Sequence, residues 1–341
     1  MKTRIVMLLM VCRVIFPAVS ATAGRDARPE IEIRRVVSIT VSKHIKNLTQ
    51  TAKVEIASRW MFAEKGVQIK QLLHRNDPIE IHTGYGNQYV KRFDGFIRTV
   101  SPTIPVLIEC DDWMFKLKNT PVKDAGYKNV KISTLLDTII PASYGITYDI
   151  LDTEIGTFTH RDANVAMILD KIKEVTGMVV YFKGKTLFIG KAYIGRVGAE
   201  ARKPVCQLHI QRNVKKNDLT YQDPDDLKVN MVVIIKQKGK DKRLEYGPDV
   251  DGKIILEKVT GVTEEQAKGI AEAKTALFKK AGLKGKIGMY LLPYIEVGDV
   301  VQIVDSQYPE KNGNYFVDGT EETYNASTGG TQLLTLGSKA N

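Results

Sequence analysis

Apolar and polar side chains alternate at every second position through both ends of this 341-residue chain. A period of two places one face in a core and the other in water only when the backbone is extended. Near the N-terminus the pattern runs through Ile31-Glu-Ile-Arg34, Val37 to Ser42 and Ala52-Lys-Val-Glu-Ile-Ala57, with a turn at Lys46-Asn47-Leu48-Thr49 between the last two. It continues at residues 77–83, 92–100 and 106–110, with a hairpin signal at Gly84-Tyr-Gly-Asn87. Short strands at close spacing with turn residues between them predict a small barrel or a sandwich.

The middle of the chain changes period. Residues 130–140 read as a short amphipathic helix ended by Pro141. Asp162 is the expected N-cap of a longer helix whose Val165, Ile168, Leu169, Ile172 and Val175 share one face, and Gly177 closes it. A hairpin follows, with strands at 178–182 and 186–189, so this stretch is an α+β module of about 80 residues, within ordinary domain size. The last third returns to strands at 229–235, 286–291, 299–304, 315–317 and 333–336. Its one helix, residues 264–281, opens on the capping box Thr263-Glu-Glu-Gln266. The basic run 236–243 reads as a solvated hairpin tip.

Fifty Lys and Arg against 39 Asp and Glu give a net charge of +11, which raises the question of a polyanion partner. The excess is uneven: residues 1–50 carry nine basic and three acidic side chains, 201–243 carry eleven and five, whereas 244–341 carry ten and fourteen. With no RGG run, RNP-like motif or zinc-finger spacing, no sequence-specific nucleic-acid partner is expected.

Catalytic signals are also missing. The histidines (His44, His74, His82, His160, His209) show no metal-ligand spacing, and no G-x-S-x-G elbow occurs. Asp111-Asp112 and Asp225-Asp226 are adjacent, and strand neighbours point to opposite faces, so both pairs read as solvated turn or edge residues. Gly282-Leu-Lys-Gly285-Lys-Ile-Gly288 imitates a phosphate loop, but here the order is helix, glycines, strand. A helix C-terminus repels anions. The expectation is therefore a non-enzyme with no catalytic residue, cofactor or metal. Cys12, Cys110 and Cys206 are odd in number and far apart, and read as free thiols.

The N-terminus allows two readings. Lys2 and Arg4, the apolar run 5–12 and Ala21-Thr-Ala23 have the layout of a secretory signal. Arg13 cuts the run short, and it is too brief to span a bilayer, so no membrane anchor is expected. The competing reading is a first strand at Val14 to Val19.

The order of several pieces resembles the late control D, or baseplate hub, proteins of contractile phage tails and related injection systems. At the N-terminal end these are Asn47-Leu48-Thr49, Asp77-Pro-Ile-Glu-Ile and Phe93-Asp-Gly95-Phe-Ile. At the C-terminal end they are Pro293-Tyr-Ile-Glu-Val-Gly298-Asp299, Gly313-Asn-Tyr315-Phe-Val and Gln332-Leu-Leu-Thr-Leu-Gly337. The resemblance implies an α+β, mainly antiparallel β fold, with two small tube-type β-barrel domains, 14–120 and 205–341, flanking an α+β module at 121–204. Residues 1–13 are left as an unassigned or disordered start. It further implies a homotrimeric ring joining a hexameric tail tube to a trimeric spike, in contact with other baseplate proteins. Asn47, Leu48, Gly95, Pro293, Gly298, Asp299, Gly313, Tyr315 and Gly337 would be its structural positions. The location implied is the virion tail baseplate, assembled in the bacterial host cytoplasm. Because such proteins begin near a strand like Val14 to Val19, the resemblance weighs against cleavage after Ala23. The alternative is a secreted or envelope-associated β-rich binding protein with a cleaved signal.

Overall fold

The computed structural model describes residues 9–21, 25–57, 72–190, 204–222, 229–236, 241–246, 252–260, 264–265, 267–269, 271–272 and 282–340. The fold is α+β and mostly antiparallel β. Seven strands form its N-terminal part: β1 (Met10–Phe16), β2 (Ile31–Ile33), β3 (Ser38–His44), β4 (Thr51–Ile56), β5 (Pro78–Tyr85), β6 (Gln88–Ser101) and β7 (Val106–Asp111). Their inward positions, among them Val14, Phe16, Ile39, Val54, Ile81, Ile97 and Ile108, make one buried core.

The first strand starts earlier than the sequence suggests. Met10 to Arg13, expected in an unassigned start, belong to β1, which pairs with β5 on one side and β2 on the other. It stops at Phe16 because Pro17 has no N–H to continue a ladder. The apolar run 5–12 falls only partly within the described residues.

Helix α1 (Met114–Lys118) leads into the central module. There β8 (Pro121–Val122), β9 (Ala125–Tyr127), β10 (Val130–Lys131), α2 (Ile132–Ile139), β11 (Thr147–Ile150), β12 (Glu154–Ile155), β13 (Phe158–His160) and β14 (Ala163–Asn164) follow in turn. The chain doubles back on itself, so β8 pairs β14, β9 pairs β13 and β10 pairs β12. Helix α3 (Val165–Thr176) packs Val165, Ile168, Leu169 and Ile172 into a second core. Its N-cap is Asn164, whose Oδ1 accepts from the Met167 N–H at 2.9 Å, and not Asp162, which lies in the preceding turn at φ 46°. Asn164 is extended and therefore aims its amide at the first turn. Gly177 closes the helix at φ 67°. The hairpin β15 (Val179–Lys183) and β16 (Thr186–Gly190) turns at Gly184, φ 58°, and β11 adds to it in parallel.

The C-terminal part comprises β17 (Cys206–His209), β18 (Val214–Gln222), β19 (Val229–Lys236), β20 (Lys242–Tyr246), β21 (Lys253–Thr260), β22 (Gly282–Met289), β23 (Val300–Val304), β24 (Gly313–Asn325) and β25 (Gly329–Ala340). Its described residues hold two buried cores. Leu208, Ile287, Val301, Tyr315, Val317 and Leu334 form the larger. The smaller sits on a separate sheet, β20-β19-β21, where Met231, Val233 and Ile235 meet Ala267 and Ala271. The described residues 264–265, 267–269 and 271–272 are helical; the rest of the expected helix 264–281, Asp225-Asp226 and most of the tip 236–243 lie outside the described residues. The glycine-rich decoy is strand β22, with Gly285 pressed against the Asp218 carbonyl.

The two β parts are not separate bodies. β24 lies between β25 and β3, with Gly319 opposite His44 and Asn325 opposite Ser38. This seam makes one sheet in the order β18-β22-β25-β24-β3-β4-β7-β6-β5-β1-β2, with β23 and β17 branching from β24.

Candidate functional site

Charged side chains collect where the seam meets the central hairpin. β6 carries Arg92, whose side chain is fully buried, and β24 carries Glu322, 4% exposed. Arg92 Nε lies 3.2 Å from Glu322 Oε2 and donates to Thr83 Oγ1 on β5 at 3.0 Å, while Nη2 donates to the Leu291 carbonyl. Its guanidinium also stacks on the Tyr294 ring, 4.5 Å from the centroid. Neither Glu322 oxygen takes a hydrogen bond, so its approach to Arg92 is an ion pair alone. Burial pushes the Glu322 carboxyl up, opposed by the charges of Arg92 and Lys43.

A second layer surrounds this pair. Lys43 on β3 donates to Tyr294 Oη at 3.0 Å and lies 3.4 Å from Glu296. Lys183, at the tip of the central hairpin, reaches Glu296 at 3.4 Å and Asp299 at 3.5 Å. Asp299 also accepts from the Glu296 N–H at 2.8 Å, which fixes the loop carrying both. Burial pushes the Tyr294 phenol well up, so it stays protonated and neutral. Beneath the charges, Ile45, Tyr181, Phe188 and Val297 form a small apolar cluster drawn from all three parts of the chain. The cavity left between the layers, about 230 Å³, is lined by Lys43, Arg92, Asp112, Lys183 and Tyr294 among others.

Asp111 and Asp112, expected in solvent, are both buried. Asp112 accepts from the Gln50 N–H and the Met114 N–H, each at 3.0 Å, so it ties the β3–β4 turn to the start of α1. Burial pushes its carboxyl up to about 7. Asp111 pairs with Arg98 at 2.9 Å and Lys118 at 3.0 Å. Asp112 lies just past the end of β7, so the opposite-face rule for strand neighbours does not separate the two: both reach α1, Asp111 through Lys118 and Asp112 through the Met114 N–H.

The nine family-like positions fall in three places. Asn47 and Leu48 occupy the β3–β4 turn, Leu48 packing on the central core. Pro293, after a cis bond, Gly298 at φ 85° and Asp299 share the loop with Tyr294 and Glu296. These five lie at the junction. Gly95 sits at the β6–β7 contact, where a Cβ would come within 2.3 Å of the Asp111 carbonyl. Gly313, Tyr315 and Gly337 belong to the C-terminal sheet; Tyr315 is fully buried and its hydroxyl donates to the Lys311 carbonyl at 3.1 Å. Arg92, Glu322 and Lys183, which build the junction with Tyr294, carry no sequence signal that marks them as a site. In 319–325 Glu322 shares its parity with Thr320 and Tyr324, but the opposite parity is equally polar, so no alternation marked it.

This arrangement holds surfaces together. Its carboxylates and cations are spent on one another, and burial pushes all three thiols of the chain up, Cys206 to about 11. Among the described residues no three His, Cys, Asp or Glu side chains gather as a metal site would require. Among them, too, no helix is long and apolar enough to cross a membrane.

No protein-family model and no curated protein matches the sequence. Solved structures do. The tail protein of Neisseria meningitidis MC58 is similar over 96% of this chain and 96% of its own, with a TM-score of 0.65 at 13% identity. The 43 kDa tail protein of prophage MuSo2 from Shewanella oneidensis covers 96% of this chain and 98% of its own, at 0.64 and 11%. An Escherichia coli component of the type VI secretion system, described as structurally similar to the T4 tail proteins gp27 and gp5, covers 90% of this chain and 74% of its own, at 0.55 and 9%. Along nearly its whole length, the chain therefore has the fold of phage tail proteins and of a related secretion-system component.

Proposed function

We propose that this chain is a structural baseplate hub protein of a contractile tail or related injection system, working by assembly and not by catalysis. Three copies form a ring that joins a hexameric tail tube to a trimeric spike and contacts other baseplate proteins. The ring belongs to the virion tail, built in the bacterial host cytoplasm. The observation that carries this reading is the seam: two β parts fused edge to edge and braced by a central module, in a fold shared along nearly the whole chain with tail proteins. A subunit so built holds its two β parts at fixed spacing within one sheet, so three copies can offer six such parts to a tube and one three-fold face to a spike. The uneven charge fits such stacking, since complementary faces steer association. Cleavage after Ala23, as the secreted alternative requires, would remove β1, which is paired along both edges.

Mass measurement in solution, alone and with the adjoining spike protein, tests the proposal. A species near three times 38.1 kDa is expected. A monomer at every concentration, with and without the spike, overturns it.

A further inference from the structure

The strand order β3-β4-β7-β6-β5 of the N-terminal part recurs as β18-β22-β25-β24-β23 in the C-terminal part. The two agree in detail. The Asn76 N–H donates to the Ile97 carbonyl at 2.8 Å, and the Ile97 N–H to the Asp77 carbonyl at 2.9 Å. Gly298, Val317 and Asp299 make the same two bonds, at 2.8 and 2.9 Å. Asn76 and Gly298 both have positive φ, 76° and 85°. Asp77 Oδ2 accepts from the His74 N–H at 3.1 Å, as Asp299 Oδ2 does from the Glu296 N–H at 2.8 Å. The ladder register also shifts at the same point, between Ile97 and Thr99 in one and between Val317 and Gly319 in the other. Counting through the ladders from there makes Ser101 on β6 the counterpart of Glu321 on β24, and Thr220 on β18 the counterpart of Ser42 on β3.

The matched positions differ in one respect. Glu321 lies opposite Ser42 in the seam, where β24 has left β23 and taken β3 as its neighbour. Ser101 and Thr220 have no such neighbour among the described residues. Thr99 to Ser101 pair with β7 alone, because β5 stops at Phe96, and β18 pairs with β22 alone. Three residues past Glu321, Tyr324 is buried on the N-terminal core; three past Ser101, Ile104 is 88% exposed. A bare ladder edge is a template for another strand.

We propose that the end of β6 in one copy of the chain pairs antiparallel with β18 of the next, repeating between copies the seam that β24 and β3 make within one. Thr99, Val100 and Ser101 then lie opposite Gln222, Tyr221 and Thr220. Pro102 has no N–H for a further rung, so the pairing ends at Ser101. Ile104 covers the side on which Leu219 and Tyr221 pack over the C-terminal core. The partner is a second copy because the chain carries both halves of the contact and its template. Two different edges meet, so the contact is head-to-tail and can close into a ring. This interface rests on the ring of the proposed function.

The test joins solution mass to disulfide trapping on the full chain, alone and with the adjoining spike protein. Ser101→Cys and Thr220→Cys in one chain should link copies to one another on oxidation, seen as dimers and trimers on a non-reducing gel. Neither single variant should do so, and Ser101→Cys with Asp218→Cys, two residues out of register, should link far less. Ile104→Asp, at an exposed tip, should raise the concentration needed for the trimer at least about tenfold, with unchanged circular dichroism. A trimer that Ile104→Asp leaves intact, that traps no link between positions 101 and 220, or that links equally well out of register overturns this interface and leaves the hub reading standing. A chain that stays monomeric throughout, with and without the spike, overturns both.

Discussion

Arg92→Met isolates the electrostatics of the seam. The guanidinium is fully buried and is the nearest cation to Glu322, which itself is 4% exposed with no hydrogen bond to either oxygen. Methionine fills most of the volume, so packing changes little, but a carboxylate is stranded in a low-dielectric interior. Removing one partner of a buried pair costs about 3–5 kcal/mol, which is roughly a hundredfold to several-thousandfold in the folding equilibrium. Adding Glu322→Gln to the same chain removes the stranded charge and should recover at least about 2 kcal/mol, because the two residues form one unit and their effects do not add. Acid should help the single variant as well. The folded carboxyl is already raised, and without Arg92 it takes up a proton at a pH where the unfolded chain, near 4.3, does not. Proton uptake by the folded state means that stability rises as pH falls. Urea unfolding followed by circular dichroism at pH 7 and pH 5 reads all three effects. A double variant as unstable as the sum of the singles, together with a deficit unchanged by pH, refutes the argument.

Further outcomes follow from the same coordinates. Asp112, raised to about 7 from an unfolded value near 3.8, favours the folded state most below pH 4 and loses that contribution as pH climbs to 7. The change is bounded near 4 kcal/mol by the size of the shift; urea midpoints at pH 5 and 8 should differ more in the parent than in Asp112→Asn. Gly95→Ala drives a Cβ into the Asp111 carbonyl and should cost about 3 kcal/mol or more, read as a fall in melting temperature or in soluble yield. Lys183→Ala, with the side chain 45% exposed, should cost no more than about 1 kcal/mol despite its two carboxylate partners. A chain started at Gly24 lacks β1 and should be insoluble, and N-terminal sequencing of the purified native protein should find β1 intact.

Most strands could be read directly from the sequence. The turn at Asn47-Leu48, the hairpin at Gly184 and the helix closed by Gly177 follow from local rules, since alternation and turn chemistry act between near neighbours. The alternation also separated the two strand-rich ends from the helical middle. Local rules failed where a long-range partner overrode them. Residues 319–325 contain Gly319, two glutamates and an asparagine, a composition that predicts no strand. They lie inside the sheet because β25 and β3 supply hydrogen bonds along both edges. Asp111 and Asp112 read as solvated because strand neighbours face opposite ways; their partners are Arg98, Lys118 and two backbone amides, one of them 62 positions away.

The sequence by itself determined the class of the fold: period-two runs at both ends, a helical module between them, and no spacing that assembles a reactive site. The tertiary structure alone decided that the two ends share one sheet, that Arg92 meets Glu322 at their junction, and that Asp111 and Asp112 are buried. The physical reason is one of range. Side-chain periodicity is set by the geometry of a few successive residues, whereas the pairing of β24 with β3 joins positions nearly 280 residues apart, and the chemistry of the strands does not name their partners.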